Sequence, residues 1–584
     1  MWFARVLSAG LCRVWRPADV NRAVYAVVLL LLLVSVCMRP LDAAAPQLRL
    51  VYMSHNLLVP ENVKEVQGLM RRAKAAGYNG VVLADYKLQI LDRMGPEYRR
   101  NVAEVQRTAR ELGIQIIPAV CPIGYSEGLL SHDPNLAEGL PVRNALLVVR
   151  GGEARVAADP PVGLRDGGFE QSQGDRFSRW DWQDFPGAAT FADRDVYHGG
   201  RQSLRMEWVG RADPQYGHGR IVQTVAVSPF RQYHLSVWVK TEGFDASENV
   251  RCLVLGDKDQ ALSYESWHVK QTQDWTEHHT VFNSLGSRLV RVYLGVWEGK
   301  GGKLWFDDAK LEEVAFLNLL RRAGCPLVVK GEDGTPYQEG KDFLALRDPR
   351  MGRVPWPGSY DVYHEPPVLR LAPGSRIRDG QRLRASYYHA VTIYDGQVTC
   401  CLTEPKVYAL LQDQVKRVND LLHPTAFMMS HDEIRVANWC NACRMRGISP
   451  GQMLADNVSR CVQMIRKVNP KADILVWSDM FDPNHNAHDN YYLVNGSWAG
   501  SWLGLPREVI VVNWYFEKRK QSLPWFAKRG HRQVLAGYYD GPPEQIRTWL
   551  SDAKGLPGII GVMYTTWQQR YDDLEAFAQA AWGR

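Results

Sequence analysis

A strand–helix alternation that stops after its third strand and resumes far along the chain constrains this sequence more than any other feature. Leu48 to Met53 is an apolar run of strand length, Val63 to Ala76 has helical spacing and ends at Gly77, and Gly80 to Ala84 is a second strand. Tyr98 to Leu112 is a second helix closed by Gly113, and Ile114 to Val120 a third strand. Short Gly-bearing connections between such elements predict parallel βα units. The rhythm returns with an amphipathic helix at Lys406 to Leu422, strand Ala426 to Met429 and helix Ser449 to Val468, then strands Ile474 to Trp477, Val509 to Trp514, Gln533 to Tyr539 and Ile559 to Tyr564. Three strands before the break and five after it make the eight of a closed barrel. The two segments, 46–140 and 396–584, together approach the roughly 250 residues usual for that fold. The expected class is α/β, a (β/α)8 TIM-like barrel interrupted after strand 3.

The interruption has its own pattern. From 161 to 314 the sequence is all β, with short alternating runs such as Tyr233 to Val239, Val250 to Leu255, Leu289 to Trp297 and Lys303 to Leu311 between Gly, Asp and Asn turns. A self-contained sandwich is expected. Asp166-Gly-Gly-Phe-Glu170, Tyr233-x-Leu-Ser-Val-Trp238 and Leu304-Trp-Phe-Asp-Asp308 make this segment resemble the jelly-roll carbohydrate-binding modules of families 4 and 9. The resemblance implies glycan binding and a structural calcium ion in the sandwich. Trp180, Trp182 and Trp267 lie in turn-like stretches and are the expected sugar-stacking surface, whereas Trp238 and Trp305 are expected in the core. Residues 316–395 form a small β-rich extension.

Charge balance narrows the partners. A net charge of +7 is small beside 70 Lys and Arg and 63 Asp and Glu, and no long basic run is present, so nucleic acid is not an expected partner. The N-terminus carries Arg5, Arg13, Arg16 and Arg22, an uncharged run from Ala23 to Met38, and Ala43-Ala44-Ala45 before Pro46. This is the pattern of a signal peptide over 1–45. The chain is expected to be exported (periplasmic, cell-surface or secreted), with an uncleaved N-terminal anchor as the alternative and no other stable membrane partner.

Eight cysteines follow the leader, and their pairing is not readable from sequence. Cys440-x-x-Cys443 with His431 upstream can be half of a zinc site. A single such pair fits a structural or disulfide role better, so no metal and no required cofactor are expected. Asn457-Val-Ser459 and Asn495-Gly-Ser497 match the glycosylation sequon.

Barrel chemistry collects where the chain leaves each strand. Those positions hold Ser54, His55 and Asn56; Asp85 and Tyr86; Cys121 and Tyr125; His431, Asp432 and Glu433; Trp477 and Asp479; Trp514; Tyr538 and Asp540; and Thr566 and Trp567. Acids and aromatics recur at six of the eight ends. Two adjacent carboxylates at one strand end can raise one another's pKa, so that one serves as a general acid near neutral pH. The plainer reading of Asp432-Glu433 is a cap and a salt bridge to Arg435.

With Asp432-Glu433 ending the fourth strand, Trp477, Trp514 and Trp567 closing later ones, and Tyr538-Tyr-Asp540 on the seventh, the barrel resembles glycoside hydrolase family 20, the β-N-acetylhexosaminidase type. The resemblance implies a glycosidase with substrate-assisted, retaining catalysis on an oligo- or polysaccharide. Glu433 would protonate the glycosidic oxygen, Asp432 orient the acetamido nitrogen, Tyr538 bind the acetamido oxygen and Asp540 a sugar hydroxyl. Asp85, His431, Trp477, Asp479, Trp514 and Trp567 would bind the sugar. Two departures stand out: Ser430-His431 replaces the family's Gly-Gly, and no Arg closes the first strand. Two rival readings are a retaining glycosidase with Glu404 of Leu402-Thr-Glu-Pro405 as acid/base, and a barrel that binds glycans without cleaving them.

Overall fold

The computed structural model describes residues 46–352, 356, 360–394 and 396–583. The leader expected over 1–45 lies outside the described residues.

Eight parallel strands close a barrel. They are β1 (Leu48–Met53), β2 (Gly80–Leu83), β3 (Gln115–Val120), β4 (Ala426–Met429), β5 (Asp473–Trp477), β6 (Ile510–Asn513), β7 (Gln533–Tyr538) and β8 (Ile559–Thr565). Ala119 of β3 pairs with Met428 of β4 although the whole insertion lies between them, and β8 pairs back onto β1. Alternate residues point inward, so Leu50, Val82, Ile117, Met428, Leu475, Val512, Val534 and Met563 fill the interior. Each such buried side chain contributes about 1.5–3 kcal/mol.

The remaining strand faces pack against an outer layer that includes α1 (Pro60–Ala75), α2 (Pro96–Leu112), α3 (Pro405–Leu422), α4 (Pro450–Val468), α5 (Arg519–Lys528), α6 (Gln545–Ala553) and α7 (Leu574–Trp582). Local chemistry sets their ends. Pro occupies the first turn of α1, α2, α3 and α4, where its missing N–H has no helical partner to lose. Gly113 closes α2 in the left-handed conformation at φ 60°, and Ser449 and Gln452 form a reciprocal capping box on α4. None of the described helices is long and apolar enough to cross a membrane.

The insertion is nested. After β3 the chain lays down strands Leu140–Arg150 and Glu153–Val156 and then forms the sandwich. It returns as Val328–Gly331, Pro336–Tyr337, Leu369–Arg370 and Arg382–His389, which join the first two strands in a six-stranded antiparallel sheet. The extension expected from 316–395 alone therefore takes two strands from before the sandwich. Its central pairing, Arg382–His389 on Leu140–Arg150, bridges the whole sandwich in sequence, and no local pattern announces such a partner.

In the sandwich, a five-stranded sheet built on Gln232–Glu242 and Lys303–Val314 shares its core with a four-stranded sheet built on Gly219–Ala226 and Leu289–Val296. Three tryptophan expectations change here. Trp180 is only 5% exposed and stacks on Phe169, and Trp267 is 6% exposed, so both are core. Trp182 stands 60% exposed. Trp238 lies on the outer face, its ring 3.9 Å from that of His198, because Leu235, Val237 and Val239 take the inward positions.

Candidate active site at the barrel mouth

All eight strand ends contribute to one cavity of about 480 Å³ at the C-terminal mouth. Tyr52 comes from β1, Asp85 follows β2, Val120 ends β3, Asp432 and Glu433 follow β4, and Trp477 ends β5. Trp514, Tyr539 and Trp567 follow β6, β7 and β8. Trp477 and Trp514 arrive there by strand alternation, as the next inward residues after Leu475 and Val512. Tyr52, Trp477 and Trp567 sit with ring centroids 5.3–5.6 Å apart, and Trp514 stacks on Tyr539 at 5.4 Å. An aromatic wall therefore faces the acid pair, a surface suited to the apolar face of a sugar ring.

The acids differ in setting. Glu433 lies in the left-handed region at φ 49°, a conformation that non-glycine residues keep where the surroundings fix it. Its Oε2 accepts from Tyr125 Oη and lies 2.7 Å from the Arg435 guanidinium. Arg435 is itself held by Gln397 Oε1 and by the rings of Tyr394 and Tyr492. Among the described residues no cation pairs directly with Asp432, and Arg435 offsets only part of what acts on it. Burial, the carboxylate of Asp479 and that of Glu433 together push it well above the usual carboxylate range. Asp479 lies behind the pair, fully buried, and accepts from Glu433 N at 2.8 Å, Asn486 Nδ2 at 3.0 Å and Trp514 Nε1 at 3.3 Å. Burial raises it to about 7.

Gly124 permits this packing. A Cβ at that position would lie 1.9 Å from Asp432 O, so the loop after β3 closes on the acid-bearing backbone only with glycine there.

Asp432, Glu433, Trp477, Trp514 and Trp567 are thus brought together, with the buried Asp85 in the same lining. Both Asp85 oxygens are already engaged, by Leu57 N and Tyr98 Oη on one side and Lys87 N on the other. Asp479 supports from behind rather than lining the cavity. Tyr538, expected to contact substrate, points away: its hydroxyl donates to Asp573 Oδ2 at 2.9 Å and its ring stacks on Tyr564. Tyr538, Tyr539 and Asp540 all have positive φ, which breaks strand alternation and delivers Tyr539 to the mouth instead. Asp540 accepts from Thr566 Oγ1, Trp567 N and Gln568 N, fixing the Trp567 loop instead of facing the cavity.

His431 is fully buried with Nε2 3.0 Å from Asn457 Oδ1, so it neither reaches the cavity nor joins Cys440 and Cys443. That bond also buries the Asn457 sequon. Glu404 sits at the start of α3, paired with Arg322 at 3.5 Å and outside the cavity.

Tyr52, Tyr125, Tyr539 and Gln414 complete the site. Tyr52 was legible, since it continues the inward alternation of Leu48 and Leu50. Gln414 was not, for it reaches the mouth from α3. Its Oε1 accepts Cys121 N, while its Nε2 is buried without a protein partner.

No protein-family model matches the sequence, nor does any curated protein. Among solved structures, a chitobiase of Flavobacterium johnsoniae is 10% identical with a TM-score of 0.37, over 92% of this chain and 48% of its own. A rhamnosidase from Novosphingobium sp. PP1Y is 10% identical with a TM-score of 0.33, over 93% of this chain and 59% of its own. A xylan-binding domain of Paenibacillus barcinonensis Xyn10C is 15% identical with a TM-score of 0.20, over 26% of this chain and 95% of its own. This chain thus spans about half the length of the chitobiase. TM-scores this low carry no functional weight, and the fold rests on the closed eight-stranded topology itself.

Proposed function

We propose that this chain is a glycoside hydrolase that holds a sugar against the aromatic wall of Trp477, Trp514, Tyr539 and Trp567 and cleaves its glycosidic bond with the Asp432-Glu433 pair. The observation that carries the reading is that pair facing that wall within one cavity at the C-terminal mouth of a barrel. N-acetylhexosaminides head the substrate classes, on the family resemblance of the strand ends.

The electrostatics favour a division of roles opposite to the one the resemblance implies. Asp432, whose carboxyl burial, Asp479 and Glu433 push above the usual carboxylate range, is the better general acid. Glu433, fixed by Arg435 and Tyr125, is the better orienting or charge-stabilising group.

A panel of chromogenic glycosides, led by the N-acetylglucosaminide and N-acetylgalactosaminide, tests both levels. The variant that removes the acid should lose about 10²- to 10⁴-fold on poor leaving groups and far less on activated aryl glycosides. That pattern is expected of Asp432→Asn. Finding it in Glu433→Gln instead would restore the family assignment, and no turnover of any glycoside by the wild type would leave a glycan-binding barrel. Export belongs to the same reading, and N-terminal sequencing of chain recovered from outside the cytoplasm would locate the cleavage.

A further inference from the structure

Outside the cavity, a buried cluster gathers Glu138, Cys401, Cys440 and Cys443, with one donor atom from each lying within 4.8 Å of the others. Cys401 Sγ is 3.6 Å from Cys440 Sγ and 3.5 Å from Cys443 Sγ, and Cys443 Sγ is 3.3 Å from Glu138 Oε2. Around a tetrahedral zinc with Zn–S about 2.3 Å and Zn–O about 2.0 Å, two sulfurs stand about 3.8 Å apart and sulfur and oxygen about 3.5 Å. These three spacings fall a few tenths of an ångström inside those values. We propose that Cys401, Cys440, Cys443 and Glu138 form a structural zinc site.

The surroundings support a cation there. Glu138 Oε1 accepts from Trp439 N and Cys440 N, both at 2.8 Å, which aims Oε2 at the three sulfurs. Three thiolates and a carboxylate exceed the charge of one divalent ion. The buried guanidinium of Arg322, anchored on Asn135 O and Ala137 O, stands close enough to act on Cys401, Cys440 and Glu138 and offsets part of the excess. A disulfide would use two sulfurs and strand the third beside a buried acid, whereas a thiolate-rich tetrahedral set suits zinc and not calcium or magnesium. Four protein ligands leave no open position, which marks a structural rather than a catalytic ion. Binding would deprotonate the three thiols and release those protons to solvent.

The ligands also join three segments. Glu138 lies where the chain leaves the barrel, Cys401 where it returns, and Cys440 and Cys443 on the loop that carries Asp432 and Glu433. Zinc would tie both ends of the insertion to the acid-bearing loop.

The whole chain, produced with zinc in the medium, should contain one zinc per chain by elemental analysis and release it to a mercurial thiol reagent. Cys401→Ser and Cys443→Ser should each lower metal content about tenfold or more, while Cys461→Ser, buried outside the cluster, should not. Cobalt exchanged into the wild-type chain should give thiolate-to-cobalt charge-transfer bands and strong tetrahedral visible bands, a readout independent of how well the variants fold. Metal-free chain with three free thiols, or a Cys401–Cys443 disulfide in peptide mapping, would overturn the site. Metal lost in Cys325→Ser but kept in Glu138→Gln would overturn Glu138 as fourth ligand, because Cys325 hydrogen-bonds Cys440 and is the competing donor.

Discussion

At the end of β7, Tyr538 and Tyr539 are adjacent in sequence and opposite in orientation, because three consecutive left-handed residues replace the strand alternation that would have carried Tyr538 inward. The two should therefore respond differently to substitution. Tyr539→Ala removes an aromatic contact worth about 0.5–1.5 kcal/mol, so KM for a glycoside should rise roughly two- to tenfold. Tyr538→Phe loses one hydrogen bond to Asp573, so steady-state rates should hold while thermal unfolding shows a loss of about 1 kcal/mol. The acids give two pH predictions. If Asp432 donates the proton, kcat/KM should decline as pH rises through its raised value, and the residual rate of Asp432→Asn should lack that alkaline limb. Asp479 acts on stability. Its folded form binds a proton more tightly than the unfolded chain does, so the linked stabilisation is complete below the ordinary 3.8 and is lost as pH rises through about 7. Melting scans between about pH 5 and 8 should show the wild type losing more Tm than Asp479→Asn, and equal slopes would contradict the burial argument.

Elements were read most reliably where their boundaries carry their own chemistry. Gly113 ends α2, Ser449 starts α4, and the apolar run Leu48–Met53 is β1 without adjustment. Legibility failed where an element depends on a distant partner. Leu140–Arg150 needs Arg382–His389, and the two-residue pair Val436–Ala437 with Leu493–Val494 is too short to leave a periodic trace. Loops fall in the same class: nothing near Gly124 in sequence shows that the backbone of Asp432 lies against it. Gly124→Ala should displace that backbone, lowering turnover at least tenfold and depressing Tm. Glycoside turnover matching the wild type would mean the loop yields more readily than the contact implies.

At the scale of the molecule, the sandwich draws its core residues chiefly from 161–314 and is joined to the extension through buried polar contacts. Gln232 Nε2 donates to Leu317 O and Asn283 Nδ2 to Pro141 O, with His389 within 3.1 Å of both amides. Expressed alone, 161–314 should unfold cooperatively but at a lower Tm than in the whole chain, since those amides lose their partners. Calcium should raise that Tm if the sandwich holds the ion that its resemblance implies. An unfolded fragment would show that the extension is part of the folding unit. The sequence by itself determined the eight strands, the four helices α1 to α4, the all-β character of the insertion and the placement of Asp432, Glu433 and three tryptophans at one mouth. Each of these follows from spacing along the chain: period two in strands, 3.6 in helices, and the rule that parallel strands end on the same side. Tertiary structure alone decided the nested sheet, the choice of Tyr539 over Tyr538, the pairing of Glu433 with Arg435, the burial of Asp432 near Asp479, and the meeting of Glu138, Cys401, Cys440 and Cys443. Those depend on groups distant in sequence sharing a buried, low-dielectric space, where proximity and desolvation rather than periodicity set the energy.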